Sequence, residues 1–480
     1  MIKDNKKYSF AWVLAIYLIG VIVGGIYMGI VAPVRTVMQD SFTLSDESGI
    51  WVITIYSLFY AAFIPVIGKL ADRYGRKRLF LICMVTFVIG SAICGFAGWL
   101  APETLMTSME SYTTLLFGRI LQAIGACGLI PLATAEIGVS APPDKQGMYL
   151  GIIAASSGIS SVLGSGVGSL IMDVIGPSNW AQLFFVCVPI GIFCAIVGYF
   201  VLPESKLHNS GKIDYLGSIS IIGCIFFLLL GITYVSDENY LHSFVQSKAE
   251  WVLVLIFAIS VVSLIVFIIA ERRAEDPILD PVLFTRRAVV ITLILSFFIG
   301  CLINSMTLIP AFCEDALRLP AGSGGIYMMV FGIFSLFGPI VGGTIVDKRG
   351  AKPVLIGGLV VAALGYAFLT GISQFDPDSL IIIVGLSIVG LGLGFAMGPP
   401  TNYMILHNVP EEHVTSAISA LTLMRQIGVS VAPAVYVAFI RTDAGASGYT
   451  VMLAMVCASA VLGLIVAHFY RENSPGFKKK

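Results

Sequence analysis

Long apolar runs follow one another along almost the whole chain, and they restrict its fold more than any other feature. Each run has about 20 residues, the length that an α-helix needs to cross roughly 30 Å of hydrocarbon. The composition agrees, because 57% of the 480 residues are hydrophobic and only 12% are charged. Soluble domains do not have this balance, and the strands of membrane barrels are shorter and alternate in polarity. We therefore expect an all-α protein that crosses a membrane many times.

Polar breaks divide the chain into about fourteen candidate spans. The first follows three lysines but continues without a small-residue cleavage site, so we expect a retained span and not a removed signal peptide. The candidate spans are 11–34, 49–69, 79–99, 113–136, 148–171, 180–202, 215–235, 251–270, 288–312, 325–346, 353–371, 380–406, 415–440 and 449–470.

The distribution of lysine and arginine predicts how these spans are oriented. With the N-terminus in the cytoplasm, roughly four in five basic residues fall on the cytoplasmic side, as the positive-inside rule requires. Only Arg35, Lys248, Arg318 and Arg441 fall on the other side. An even number of spans returns the chain to its starting side. We expect a multi-pass protein of the cell (inner, cytoplasmic) membrane with both termini cytoplasmic.

Composition also argues against several other classes of function. The formal net charge is zero, so no basic surface indicates a nucleic-acid partner. The nine cysteines fall in or beside apolar runs without CxxC or histidine spacing, so no metal site is expected. No nucleotide-binding loop or nucleophile motif is found either. We expect neither a cofactor nor enzymatic activity.

One ten-residue pattern occurs twice, at equivalent places in the two halves of the chain. Residues 68–77 (GKLADRYGRK) follow the second span, and residues 343–352 (GTIVDKRGAK) follow the tenth. Transporters are commonly built from two related halves around a site near the bilayer midplane. We predict an N-terminal six-helix bundle (1–205), two extra helices with a linker (206–285) and a C-terminal six-helix bundle (286–480), the bundles being related by an axis along the membrane normal.

The first copy of this pattern resembles motif A of the major facilitator superfamily. Residues 116–125, which include Arg119 and Gln122, resemble motif B of the same superfamily. The glycine-rich fifth span is similar to antiporter motif C, although Ser165 stands where that family usually has proline. Residues 425–428 (RQIG) resemble the thirteenth span of the fourteen-span drug:proton antiporters. The resemblance implies the major facilitator fold with an extra helix pair, and export of drugs in exchange for protons.

The repeated pattern predicts a conformational latch at the cytoplasmic rim. A glycine allows two helices to approach closely, and an aspartate can cap the N-terminus of a neighbouring helix or pair with a cation. Such contacts must break when the bundles open inward. The predicted latch residues are Gly68, Asp72, Arg73, Gly75, Arg76, Lys77, Asp347 and Arg349.

Proton coupling is the point at which the sequence departs from the family pattern. The fourteen-span antiporters usually carry a first-span Asp nine residues before a proline, and here Gly24 occupies that position ahead of Pro33. Coupling needs a group that changes charge during the cycle. The predicted coupling residues are Arg119, Glu136, Glu314 and Asp315, with the cytoplasmic-side His407, Glu411, Glu412 and His413 as further candidates. Glu136 lies about 17 residues from Arg119, roughly 25 Å along a helix, too far for a direct pair.

The substrate site is predicted from polar and aromatic residues expected near the midplane of both halves. The candidates are Tyr27, Gln122, Asn304, Asn402, Tyr403, Arg425 and Gln426. Pro399 and Pro400 interrupt the twelfth span, where they predict a hinge, an unwound site or a simple kink.

Three functions compete at this point. The first is proton-driven efflux of drugs or lipophilic compounds by alternating access. The second is transport of a specific organic anion with atypical or no proton coupling, because two intramembrane arginines without an obvious acidic partner could bind a carboxylate or phosphate. The third is a membrane-bound enzyme or a channel. For either transporter we expect a small-molecule substrate, a lipid bilayer as surroundings and a monomer as the working unit.

Overall fold

The structure, a computed structural model, describes residues 9–31, 34–44, 46–100, 108–176, 179–204, 214–236, 249–279, 281–313, 324–372, 379–442 and 446–471. Within these ranges the regular structure is helical, and no β-strand occurs. The prediction of an all-α chain is therefore confirmed.

The helices are numbered here in chain order. They are α1 (Phe10–Ile30), α2 (Arg35–Ser41), α3 (Asp46–Tyr74), α4 (Arg76–Leu100), α5 (Ser108–Ser140), α6 (Gln146–Ile175), α7 (Gln182–Val201), α8 (Tyr215–Ser236), α9 (Glu250–Arg273), α10 (Pro281–Thr285), α11 (Arg287–Ala311), α12 (Gly324–Arg349), α13 (Ala351–Ile372), α14 (Ser379–Ala396), α15 (Pro399–Asn408), α16 (Val414–Thr442) and α17 (Ala446–His468).

Most of these helices are long and apolar enough to cross a membrane. In the part of the chain that the structure describes, 13 helical segments meet that description, with mean hydropathy between 1.3 and 3.4. Helix α6, at the fifth predicted span, has 30 residues and lies outside that count. The many-span prediction is confirmed, whereas the assignment to a fourteen-span branch stays a prediction.

The two halves of the chain repeat the same packing. In the first half α4 packs on α5, α1 on α6 and α4 on α7; in the second half α13 packs on α14, α11 on α16 and α13 on α17. Each half has its own cluster of buried apolar side chains. This correspondence follows from the sequence repeat, because equivalent helices carry equivalent packing faces.

The halves meet along two seams, where α3 packs on α16 and α6 packs on α12. The α8–α9 hairpin lies outside this arrangement, and α8 contacts both α3 and α16. The predicted boundaries at 205 and 286 are compatible with these contacts and stay predictions.

Two tight turns mark one end of the helix array, which we call the basic end. Gly75 joins α3 to α4 with φ of 95°, and Gly350 joins α12 to α13 with φ of 86°. Only glycine adopts such values at no steric cost, so both copies of the repeat need glycine here. A different break follows α14, where Gly398 precedes α15 and Pro399 takes its first position, as proline prefers.

Candidate functional site

The carboxylate of Asp72 joins the two halves at the basic end. It lies in the last turn of α3, and it accepts hydrogen bonds from the backbone N–H groups of Thr415 (3.1 Å) and Ser416 (2.8 Å) and from the Ser416 hydroxyl (2.6 Å). These residues are the second and third of α16. The N–H groups of a first helical turn have no partner within the helix and carry partial positive charge, so a carboxylate stabilises them.

Asp347 repeats this contact in the opposite direction. It belongs to α12 in the second half, and its carboxylate accepts from the N–H groups of Gly147 (2.6 Å) and Met148 (2.9 Å). These are again the second and third residues of a long helix, α6 of the first half. Each half therefore caps a helix of the other, and we call the two contacts the Asp72 cap and the Asp347 cap.

The first glycine of each repeat lies beside these caps at a close helix crossing. A Cβ on Gly68 would stand 2.3 Å from the Oγ of Ser419, and a Cβ on Gly343 would stand 2.2 Å from the backbone O of Gly147. The obstruction at Gly343 is backbone. At Gly68 it is mainly the Ser419 side chain, with the backbone O of Thr415 at 3.2 Å, so a second substitution can relieve most of the overlap only at Gly68.

We expect Gly343→Ala to lower transport about tenfold, because overpacking of about 1–3 kcal/mol acts only where the halves meet. Gly68→Ala should act in the same way, and adding Ser419→Gly should restore transport. Initial rates in proteoliposomes measure both effects. Gly357→Ala is the matched control, since a Cβ there meets nothing within 4 Å. Equal rates for Gly343→Ala and Gly357→Ala would contradict this role.

A buried ion pair stands next to the Asp72 cap. Arg76 contacts Glu136 of α5 at 3.2 Å, and the two side chains are 9% and 6% exposed. The same guanidinium donates to the Thr415 hydroxyl (3.1 Å) and to the backbone O of Glu411 (3.2 Å). Arg76 thus connects α4 and α5 of the first half to the start of α16. Glu136 is therefore buried against a partner and is not exposed to water.

Asp276, in the segment after α9, was not among the predicted residues. Its carboxylate pairs with Lys69 and, at 3.2 Å, with Arg73 of α3, and it is 5% exposed. It ties the α8–α9 hairpin to the turn of α3 that carries the Asp72 cap. Its position on the predicted cytoplasmic side, where Lys69 and Arg73 also fall, is a sequence signal that it pairs at that side. Lys77 contacts Glu204 at 3.4 Å.

Arg119 is almost fully buried inside the first half and is satisfied by neutral groups. Its Nε donates to the backbone O of Val52 at 3.0 Å, and its NH1 group donates to Gln122. Gln122 in turn donates to the Ser91 hydroxyl. The ring of Tyr56 lies 4.3 Å from the guanidinium carbon, a favourable cation–π distance. Gly24, which replaces the family's carboxylate, lies against Leu129 of α5.

The remaining candidates for substrate contact divide into packed and half-buried residues. Tyr27 donates to the backbone O atoms of Leu183 and Phe184 (2.8 Å each), so its hydroxyl is occupied within the first half. Asn304 donates to the backbone O of Val429 within the second half.

The others lie on the helices after the α14 break. Asn402 is buried on α15, and Tyr403 stacks on His407 with centroids 3.9 Å apart. Arg425 and Gln426 are half-buried on α16.

Glu314 and Asp315 lie outside the residues that the structure describes. Arg349 is exposed at the end of α12, beside the Asp347 cap. No group of histidine, cysteine and carboxylate side chains that could hold a metal ion occurs among the described residues.

Three bacterial relatives align with most of the chain. An uncharacterized MFS-type transporter, YfiU of Bacillus subtilis, is 30% identical over 91% of this chain and 81% of its own length. Multidrug resistance protein 3 of the same organism is 28% identical over 90% of this chain and 80% of its own. The riboflavin transporter RibZ of Clostridioides difficile is 27% identical, covering 89% of this chain and 87% of its own.

Two wider comparisons agree with these relatives. The fold matches the crystal structure of the human organic anion transporter MFSD10 with a TM-score of 0.66, over 96% of this chain and all of that one, at 12% identity. At that identity the likeness concerns the fold alone. Residues 16–433 match the family described as the Major Facilitator Superfamily. The chain belongs to the major facilitator superfamily of secondary transporters.

Proposed function

We propose that this transporter exports lipophilic or amphipathic compounds in exchange for protons by alternating access. The basic end is the cytoplasmic end in this proposal, in keeping with the distribution of lysine and arginine. The chain works as a monomer in the cell membrane, with both termini cytoplasmic. The 1–205 and 286–480 bundles rock against each other, and the segment 206–285 supplies the extra helix pair of the fourteen-span branch.

The observation that carries the proposal is the reciprocal pair of caps. Asp72 and Asp347 each hold the first turn of a helix in the opposite half, so neither contact can survive if the halves separate at this end. Charge-assisted hydrogen bonds of this kind are stronger than neutral ones but few in number. They can hold one state of a two-state transporter and still be broken during each cycle.

Proton coupling is proposed to act through Glu136, with Glu314 as the second candidate. Protonation of Glu136 would remove the charge that Arg76 now pairs with. Arg76 also contacts Thr415 and Glu411 at the start of α16. When Arg76 is released from Glu136, these contacts to α16 would change as well. Proton binding would thereby weaken the contact between the halves at the cytoplasmic end.

The choice of lipophilic or amphipathic substrates is supported by the relative named multidrug resistance protein 3. Riboflavin, named for another relative, is a flat amphipathic compound and is compatible with the same class. The guanidinium of Arg119 already has hydrogen-bond partners. This supports a substrate path in which Arg119 does not bind an anionic group.

Transport of a compound panel into proteoliposomes tests this proposal. The panel contains cationic, neutral and anionic amphipathic compounds, and a pH gradient is imposed across the vesicles. We expect gradient-dependent movement of at least one class, abolished by a protonophore and by the double variant Asp72→Asn/Asp347→Asn. Folded, reconstituted protein that moves none of the compounds would show the proposal to be wrong.

A further inference from the structure

Arg425 is a half-buried cation in the middle of α16, and its guanidinium has unused hydrogen-bonding capacity. It lies eleven residues into the helix, about 17 Å along its axis, which corresponds to mid-membrane depth. Its Nε atom is buried without a hydrogen-bond partner. No carboxylate of the described residues forms an ion pair with it. A cation in this position is costly and normally has a function.

The other intramembrane arginine shows what a satisfied guanidinium looks like in this protein. Arg119 has a backbone carbonyl, a glutamine oxygen and an aromatic face as partners. It is 1% exposed, so no ligand needs to complete its environment. Arg425 is only half-buried and lacks a comparable set of partners. The two arginines therefore have different roles, and Arg425 is the one available to a ligand.

An aromatic pair on α3 connects the two sites across the seam between the halves. Tyr56 covers Arg119, and Tyr60, one turn further along α3, stacks on Tyr56 with centroids 6.0 Å apart. Helix α3, which carries Tyr60, packs on α16, which carries Arg425. A ligand at Arg425 would thus meet a guanidinium from one half and an aromatic side chain from the other.

We propose that Arg425 and Tyr60 bind the anionic group and the adjoining ring of the transported compound. The substrates are then aromatic amphipathic molecules that carry a carboxylate, sulfonate or phosphate, as free anions or as zwitterions. This inference rests on the proposed export function and specifies its substrate class. A planar guanidinium matches such oxygen pairs in a bidentate manner, and an anion can supply the hydrogen bond that the Nε atom of Arg425 lacks.

The proposed site also explains how substrate binding could favour one state of the cycle. Tyr60 belongs to the first half and Arg425 to the second, so a bound anion contacts both. Such a ligand has a different affinity for states in which the halves are differently placed, and a ligand shifts a conformational equilibrium only through such a difference. A compound that binds Arg425 alone would lack this effect.

Direct binding to purified protein tests the site independently of transport. The probes are a rhodamine with a free carboxylate and its methyl ester, two dyes that differ in this charge and in one methyl group, and fluorescence anisotropy reports their binding. We expect the unmodified protein to bind the carboxylate dye at least about tenfold more tightly than the ester. Arg425→Gln should remove this preference, and Arg425→Lys should retain part of it.

Arg287→Gln is the matched control, because it removes an exposed guanidinium at the start of α11. Equal affinity of the unmodified protein for both dyes would overturn the proposal without need of any variant. An Arg425→Gln protein that keeps the preference for the carboxylate dye would also overturn it. So would an Arg425→Gln protein whose only change is that less anionic phospholipid co-purifies with it, because Arg425 would then bind a lipid headgroup. If the site behaves as expected but no compound is transported, the site stands and the proposed export function fails.

Discussion

Replacing Asp72 by Asn should lower transport at least about tenfold while leaving membrane insertion unchanged. The substitution keeps the shape of the side chain but removes the charge that accepts from Thr415 and Ser416. Hydrogen bonds to a charged group contribute about 1.5–3 kcal/mol, and 1.4 kcal/mol corresponds to a tenfold change in an equilibrium constant. The lost hydrogen-bond free energy destabilises only the state in which the halves touch at the basic end.

Initial rates in proteoliposomes, normalised to reconstituted protein, measure this effect. Asp347→Asn should produce a smaller loss, since that carboxylate accepts two backbone hydrogen bonds and no hydroxyl of the described residues donates to it. Asp144→Asn is the matched control, because this exposed aspartate lies at the same end. An Asp72→Asn protein that transports as fast as the Asp144→Asn protein would exclude the Asp72 cap from the transport cycle.

Replacing Glu136 by Gln should uncouple substrate movement from protons. The amide cannot titrate and no longer balances Arg76, so it imitates the protonated state of the pair. We expect substrate exchange to continue while the substrate-driven pH change in proteoliposomes disappears. Arg76→Gln should destabilise the protein by about 3–5 kcal/mol, because it leaves a buried carboxylate without its partner. The loss should be smaller in Glu136→Gln, since Arg76 keeps its bonds to Thr415 and Glu411.

The double variant Arg76→Gln/Glu136→Gln separates these effects. It removes both charges together, so its stability should recover much of what Arg76→Gln loses. A pH change that survives in Glu136→Gln, in Glu314→Gln and in the variant with both substitutions would show that neither carboxylate couples transport to protons.

The repeat in the sequence predicted more of this architecture than any single residue did. Two copies of one pattern, each after an apolar run, implied two related halves, and the helix pairings repeat accordingly. The identity of the helices that Asp72 and Asp347 cap was not predictable. Each contact joins residues 199 to 344 positions apart, and such pairings depend on how complete bundles dock.

Predictions for single polar residues were less informative, for a physical reason. A tyrosine or glutamine inside an apolar helix can line a cavity or bond within its own bundle, and periodicity does not distinguish these cases. Tyr27 and Gln122 bond within the first half, whereas Arg425 has a buried Nε without a partner. Asp276 was missed because its partners on α3 are 203 and 207 positions away.

The separation of the halves at the basic end is the central claim, and a distance measurement tests it most directly. Lys145 of the first half and Lys348 of the second are exposed on either side of the Asp347 cap. Eight of the nine native cysteines are buried and Cys457 is half-buried, so with Cys457 replaced by Ser, spin labels can be placed at introduced cysteines. Pulsed electron spin resonance should give one short distance at rest and a second, longer distance when substrate and a pH gradient drive turnover. A single unchanged distance during active transport would contradict the account.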